Sequence, residues 1–209
     1  MRISNLNYKI YNGKILKDIL KNSRIFILVV LFCAGLLLGA LSLNNNYEIT
    51  EKIDEITESL LVLKKEGDIS EIFFSSLISN FIFILISIFL GFSLVGYPFI
   101  WWIPLVKGLG IGILTGYLYS YFSFKGVGYS LIIIYPAMIV STFALILSCN
   151  DSIIYSKNAF MKSIKGRGEF EKDETKIYII RNIIYLLIVI VSSVADTLLA
   201  KIFSNLFKI

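Results

Sequence analysis

Charge is missing from this chain in long blocks, and the solvent that this implies constrains the fold more than any motif. Ile25–Leu43 runs 19 residues without a charged side chain, Ile72–Val106 runs 35, Gly108–Phe124 runs 17, Gly126–Asn150 runs 25 and Asn182–Ala195 runs 14. A bilayer core needs about 20 apolar residues per helix, so the first four blocks each supply a span. The last continues through Asp196 to Leu199 and makes a fifth. A water-soluble domain with buried core helices fails on the number and length of these blocks, in a chain that is 56% hydrophobic with mean hydropathy +0.78. The expected fold class is therefore all-α: a polytopic transmembrane helix bundle of about five spans forming one membrane domain.

The expected spans are 25–43, 72–95, 108–124, 129–149 and 182–203. A basic leader helix (1–24), an acidic amphipathic segment (44–71), an interfacial or re-entrant turn (96–107) and a basic loop (150–181) connect them. The leader is charged throughout, and no small-x-small cleavage site closes the first apolar run, so that span is expected to be retained. Lys and Arg set the orientation. Residues 1–24 carry six and 150–181 carry seven; with Lys107 that makes fourteen on one side against six on the other. The expected N-terminus is cytoplasmic and the C-terminus lies outside. The net charge of +5 then reflects topology, and no nucleic-acid partner is expected.

The chain contains no histidine, which removes His-based triads and histidine metal sites. Cys33 and Cys149 lie within or at the end of apolar runs and read as small core hydrophobes. No catalytic residue, cofactor or metal site is expected. GFSLVG (91–96) is not a nucleophile elbow, because the second glycine of Gly-x-Ser-x-Gly would have to stand at Val95.

KGLGIGILTG (107–116) raises the one phosphate-loop question. Such loops follow a strand, open a helix, and in the Walker form end in Gly-Lys-Ser/Thr. Here Lys107 precedes the glycines and no strand pattern is near. Gly108, Gly112 and Gly116 fall at i, i+4 and i+8, on one helical face, where a second backbone can approach closely in lipid. Gly35 and Gly39 repeat that spacing in the first run. These five are helix-packing residues in a glycine-zipper pattern.

Other positions stand out within the spans and between them. Asn80, inside the second run, needs a partner, and an interhelical hydrogen bond is the default. Gly96 and Pro98 end the helix before them, and Trp101 and Trp102 suit a membrane interface. Pro136 removes one ladder hydrogen bond from the fourth span and kinks it; Ser130, Ser141 or Thr142 are at hand for the freed carbonyl. Asp196 is an intramembrane carboxylate near the outer end of the last span. It reads either as a structural acid, solvated near the interface or paired with Lys201, or as part of a proton or ion relay. In the acidic segment Ile49, Ile53, Ile56, Leu60 and Leu63 step by 4, 3, 4 and 3, a two-heptad seam too short to hold a coiled coil alone. That seam rests on the membrane face, a second copy or a partner. Asp68 and Glu71 form a capping box for the next helix.

Taken together, these residues resemble the stage II sporulation protein M family. The matching positions are Asn80, Gly91, Gly96 with Pro98, Lys107 with Gly108, Gly112, Pro136 and Asp196, spread over nearly the whole chain. The resemblance implies a non-enzymatic multi-pass scaffold. In the mother-cell membrane that engulfs the forespore, it would anchor a complex with peptidoglycan-degrading partners. Two departures are visible. IIIYPAMIV lacks the polar residues expected after Pro136, and Asp196 stands where Glu is expected. Relatives of the family also occur beside circular bacteriocin genes, which implies export or self-protection as the alternative role. The partners implied are membrane lipids, membrane or extracytoplasmic proteins, and a second copy of the chain.

Overall fold

The structure is a computed structural model describing residues 23–42, 47–164 and 172–203. Residues 1–22, which include most of the expected basic leader, together with 43–46, 165–171 and 204–209, lie outside the described residues. Seven α-helices account for the rest: α1 (Ser23–Ser42), α2 (Tyr47–Glu66), α3 (Ile69–Phe92), α4 (Tyr97–Ile100), α5 (Trp102–Tyr129), α6 (Tyr135–Ile164) and α7 (Lys172–Phe203). A π-helical turn, Ser130–Ile134, joins α5 to α6. No strand occurs among the described residues.

Four continuous helical stretches are long and apolar enough to cross a membrane: α1, α3, Tyr97–Ile164 and α7. The third has 68 residues, about 100 Å if straight, which is far longer than a bilayer core is thick. It is not straight. Ser123 adopts φ 51° and ψ −132°, a conformation that breaks the helix and turns the chain back. Lys107 and Ser141, about 50 Å apart on a continuous helix, therefore meet at 3.4 Å. At the same reversal a methyl on Gly126 would overlap the Leu118 carbonyl oxygen.

Local sequence explains the other boundaries. Glu71 accepts a hydrogen bond from the Asp68 N–H at 3.1 Å, the capping box that starts α3. That helix stops at Phe92, three residues before the expected Val95. Gly96 then caps the short α4, where a methyl would overlap the Leu90 carbonyl oxygen and Pro98 occupies the first turn. Pro136 sits just past the π turn, in which the Tyr135 N–H reaches back to the Ser130 carbonyl. One extra residue per turn absorbs the proline within a continuous helix. The hydroxyls expected to rescue the freed carbonyl bond elsewhere: Ser130 to Gly126 and Ser141 to Met138.

The connecting segment 150–181 is largely helical: α6 runs through to Ile164 and α7 starts at Lys172. Lys162 pairs with Glu174 between the two at 2.7 Å. Charges at 151–176 mark where apolar character ends, and a helix need not end there.

α3, α6 and α7 pack on one another most extensively. Ile84, Leu145, Cys149, Ile153 and Val189 fill one half of their core; Ile72, Leu118, Ile133, Met138 and Ala200 fill the half nearer α2. α1 lies against α5, where glycines meet backbone. Methyls on Gly108 and Gly112 would overlap the carbonyl oxygens of Phe32 and Leu36, and methyls on Gly35 and Gly39 those of Leu105 and Leu109. The surface is apolar on every long helix, with Phe26, Leu41, Phe89, Val191 and Ile202 exposed, whereas Ser87, Ser148, Asn150, Asn182 and Ser193 are buried. A hydrocarbon solvent favours that arrangement; water does not.

Candidate functional site

Asn80 is the middle residue of α3. Its amide nitrogen donates to the Ser76 carbonyl one turn earlier at 2.8 Å, which directs its oxygen across the bundle. Lys107 Nζ donates to that oxygen at 2.6 Å and to Ser141 Oγ at 3.4 Å, and stands 5.6 Å from the centre of the Phe83 ring. Ser141 gives its own proton to the Met138 carbonyl, so its lone pairs are available to the ammonium. Lys107 is only 5% exposed. The sequence reading placed it at an interface among the cytoplasmic cations. It instead lies inside the bundle, because α5 begins at Trp102 and has turned more than once before reaching it. The cytoplasmic side of the charge count therefore loses one residue.

Asp196 occupies the other end of the same region. Its carboxylate accepts from Lys64 Nζ at 2.7 and 2.9 Å, with side-chain exposures of 19% for the lysine and 9% for the acid. Lys201, the partner expected from sequence, bonds the Gly67 carbonyl at 2.7 Å instead. Both lysines tie the α2–α3 corner to α7. Ser192 donates to the Ala137 carbonyl, so Asp196 sits about 12 Å along the bundle from the Ser141 level, by helical rise.

Between these two groups is a cavity of about 280 Å³. Lys107 and Asn80 border it at mid-bundle, and Lys64 and Asp196 at the α2 end. Leu61, Ile72, Phe83, Leu114 and Met138 supply apolar wall, and Ser75, Ser76 and Ser79 put a line of hydroxyls along α3. Chemically this is a greasy chamber with one cation at its inner end and a neutralised ion pair at its outer end. Among the described residues no group of His, Cys, Asp and Glu could hold a metal.

A second polar network joins α3, α6 and α7 at the end away from α2. Ser148 donates to Asn182 at 2.7 Å and Ser152 shares a 2.8 Å bond with Tyr178, whose ring stacks on Tyr155 at 4.4 Å. Asp151 accepts from the Tyr185 hydroxyl at 2.8 Å, with Arg181 at 3.5 Å. Sequence reasoning missed this cluster by ending the span at Cys149. The signal was there: Ser148, Ser152 and Tyr155 on α6, and Tyr178, Asn182 and Tyr185 on α7, recur at three- and four-residue steps.

The remaining expected residues fall as follows. Gly116 is half-buried on α5. Trp101 is half-buried and meets Tyr97 edge-on at 6.3 Å, while Trp102 and Pro98 are exposed. In α2 the seam is divided: Ile56 is 62% exposed, whereas Leu60, 40% exposed, and the half-buried Leu63 border the cavity. Thr57, Leu61 and Lys64 also turn inward. The side chains of Ile49 and Ile53 lie outside the described residues. Cys33 and Cys149 are free thiols, exposed and buried respectively.

An all-helical bundle with a lipid-compatible surface, four membrane-length stretches and a polar interior defines a multi-pass membrane protein. Within that class, residues 28–201 match the family model for stage II sporulation protein M. The match covers most of the chain, and the protein belongs to that family, which is not a known enzyme family. No curated protein and no solved structure matches the chain.

Proposed function

We propose that this protein is a non-enzymatic membrane scaffold that anchors peptidoglycan-degrading partners during forespore engulfment. It crosses the membrane five times, with its N-terminus cytoplasmic and its C-terminus outside. Ser123 divides the 68-residue stretch into two crossings, which supports the count. Lys and Arg distribution supports the orientation.

One observation carries the scaffold reading. α2 is fastened to the bundle by the Lys64–Asp196 and Lys201–Gly67 contacts, yet it leaves Ile56 62% and Val62 49% exposed. An anchored amphipathic helix with apolar side chains left exposed is a surface for another protein's helix or ectodomain. Glycine contacts between α1 and α5 hold the frame that presents it. Co-purification of the cell-wall hydrolase complex from sporulating cells tests this. The double substitution Ile56→Asp with Val62→Asp is expected to abolish recovery of the partners while membrane accumulation stays normal. Unchanged recovery refutes the surface.

The alternative, export of or protection against a circular bacteriocin, draws on IIIYPAMIV and Asp196 as departures from the sporulation pattern. It also draws on Lys107, a second buried charge beside the Asp196 path. Solute flux into liposomes that disappears in Asp196→Asn would favour it over the scaffold.

A further inference from the structure

We propose that the cavity between α2, α3, α5 and α6 is a binding site for a single-chain anionic amphiphile, its acid group on Lys107 and its chain toward Leu114 and Ile72. The inference does not depend on which partners the protein assembles.

Charge makes the first argument. Lys107 is buried at mid-bundle, and among the described residues no carboxylate lies within ion-pair distance of it. Asp196, the acid bordering the same cavity, is already held by Lys64 through both oxygens. A charged amine in a low-dielectric interior needs a counter-charge, and intramembrane charges ordinarily face one. Asn80 and Ser141 occupy two of the three donors an ammonium offers. An acid group in the cavity would complete the set.

Size and wall chemistry make the second. A dry cavity of about 150 Å³ accommodates benzene, so 280 Å³ accommodates about twelve heavy atoms. Decanoate has that number. Leu61, Ile72, Leu114 and Met138 would contact its chain, and Ser76 stands beside Asn80 near the inner end. A fully polar anion would leave those apolar walls unfilled.

Access makes the third. Ser79, Val106 and Gly110 border the cavity and are exposed on α3 and α5. A Cβ built on Gly110 meets nothing within 4 Å. The mouth therefore opens sideways between two membrane-facing helices, so a ligand enters from the bilayer. Carboxylate and phosphate monoester head groups share the required chemistry.

Binding of radiolabelled decanoate, decyl phosphate and decanol to the full chain in zwitterionic lipid nanodiscs tests this, with empty nanodiscs subtracted. Saturable one-to-one binding of at least one acid, at least tenfold tighter than decanol, is expected. Comparing the two acids tells a fatty acid from a phosphate amphiphile. Lys107→Met is expected to remove the preference for acid over alcohol, and Lys107→Arg to keep it. Gly110→Leu, whose Cβ meets nothing within 4 Å at the mouth, is expected to weaken binding at least tenfold in a protein that folds normally. It decides the matter if Lys107→Met fails to accumulate. Equal binding of acid and alcohol, no saturable binding, or unchanged binding in Gly110→Leu overturns the proposal; no saturable binding would leave a partner helix's carboxylate as the counter-charge.

Discussion

Lys64 and Asp196, 132 residues apart, form an ion pair through both carboxylate oxygens, at 2.7 and 2.9 Å. The pair ties a connecting helix to the last membrane-length helix. Asp196 is the more deeply buried of the two, so removing the lysine leaves a shielded charge uncompensated. Breaking a fully buried pair costs about 3–5 kcal/mol; partial exposure of Lys64 reduces this to about 2 kcal/mol. Lys64→Met is therefore expected to lower thermal stability in detergent markedly and to speed proteolysis within α2. Adding Asp196→Asn to it is expected to recover part of the loss, the coupling a double-mutant cycle measures.

Ser123 carries the only positive φ among the described non-glycine residues. At φ 51° a side chain crowds its own backbone, which costs an L-residue about 1–2 kcal/mol. Ser123→Gly is expected to raise stability by about 1 kcal/mol, after its greater unfolded-state entropy is set against the relief. Ser123→Val, β-branched, is expected to destabilise the hairpin by a similar amount or more. Thermal unfolding of the two variants in the same detergent gives opposite signs if the turn is as described.

The α1–α5 contact yields a sharper contrast over two residues. A methyl on Gly108 meets the Phe32 carbonyl, whereas one on Gly110 meets open space. Gly108→Ala forces the helices apart and is expected to cost about 1–3 kcal/mol as overpacking. Gly110→Ala is expected to be neutral or slightly stabilising, since alanine is the better helix former. Membrane accumulation and detergent melting of both variants are the measurements. Equal effects would mean that α1 does not lie where the glycines place it.

These contrasts show what composition could and could not reveal. Apolar block length gave the helices, because a bilayer leaves few other ways to satisfy a backbone. Gly108 and Gly112 on α5 lie close to the α1 backbone, as Gly35 and Gly39 on α1 lie close to that of α5. Lys107 was expected at the end of an interfacial or re-entrant turn over 96–107, whereas α5 already begins at Trp102, after Pro98 and the short α4, and carries Lys107 into the bundle. Lys64 was not singled out because pairing across 132 residues leaves no local trace. Asn80 was expected to find an interhelical partner, and Lys107 is that partner.

Asp151 provides a test in which burial ranks two contacts on one carboxylate. The Tyr185 hydroxyl donates to Oδ2 at 2.8 Å, whereas the Arg181 guanidinium stands 3.5 Å from the same oxygen with 56% of its side chain exposed. Coulomb attraction through that much solvent is worth little, since exposed pairs typically contribute below about 1 kcal/mol. A short hydrogen bond to a charged, shielded acceptor contributes about 1.5–3 kcal/mol. Tyr185→Phe is therefore expected to destabilise the protein more than Arg181→Gln, although the arginine carries the formal charge. Arg181→Gln is expected to lose what effect it has at high salt, while the Tyr185→Phe loss persists. Melting curves of both variants at low and high salt check the order and the salt response together. A larger, salt-insensitive loss for Arg181→Gln would mean that the guanidinium, rather than the phenol, holds this carboxylate in place.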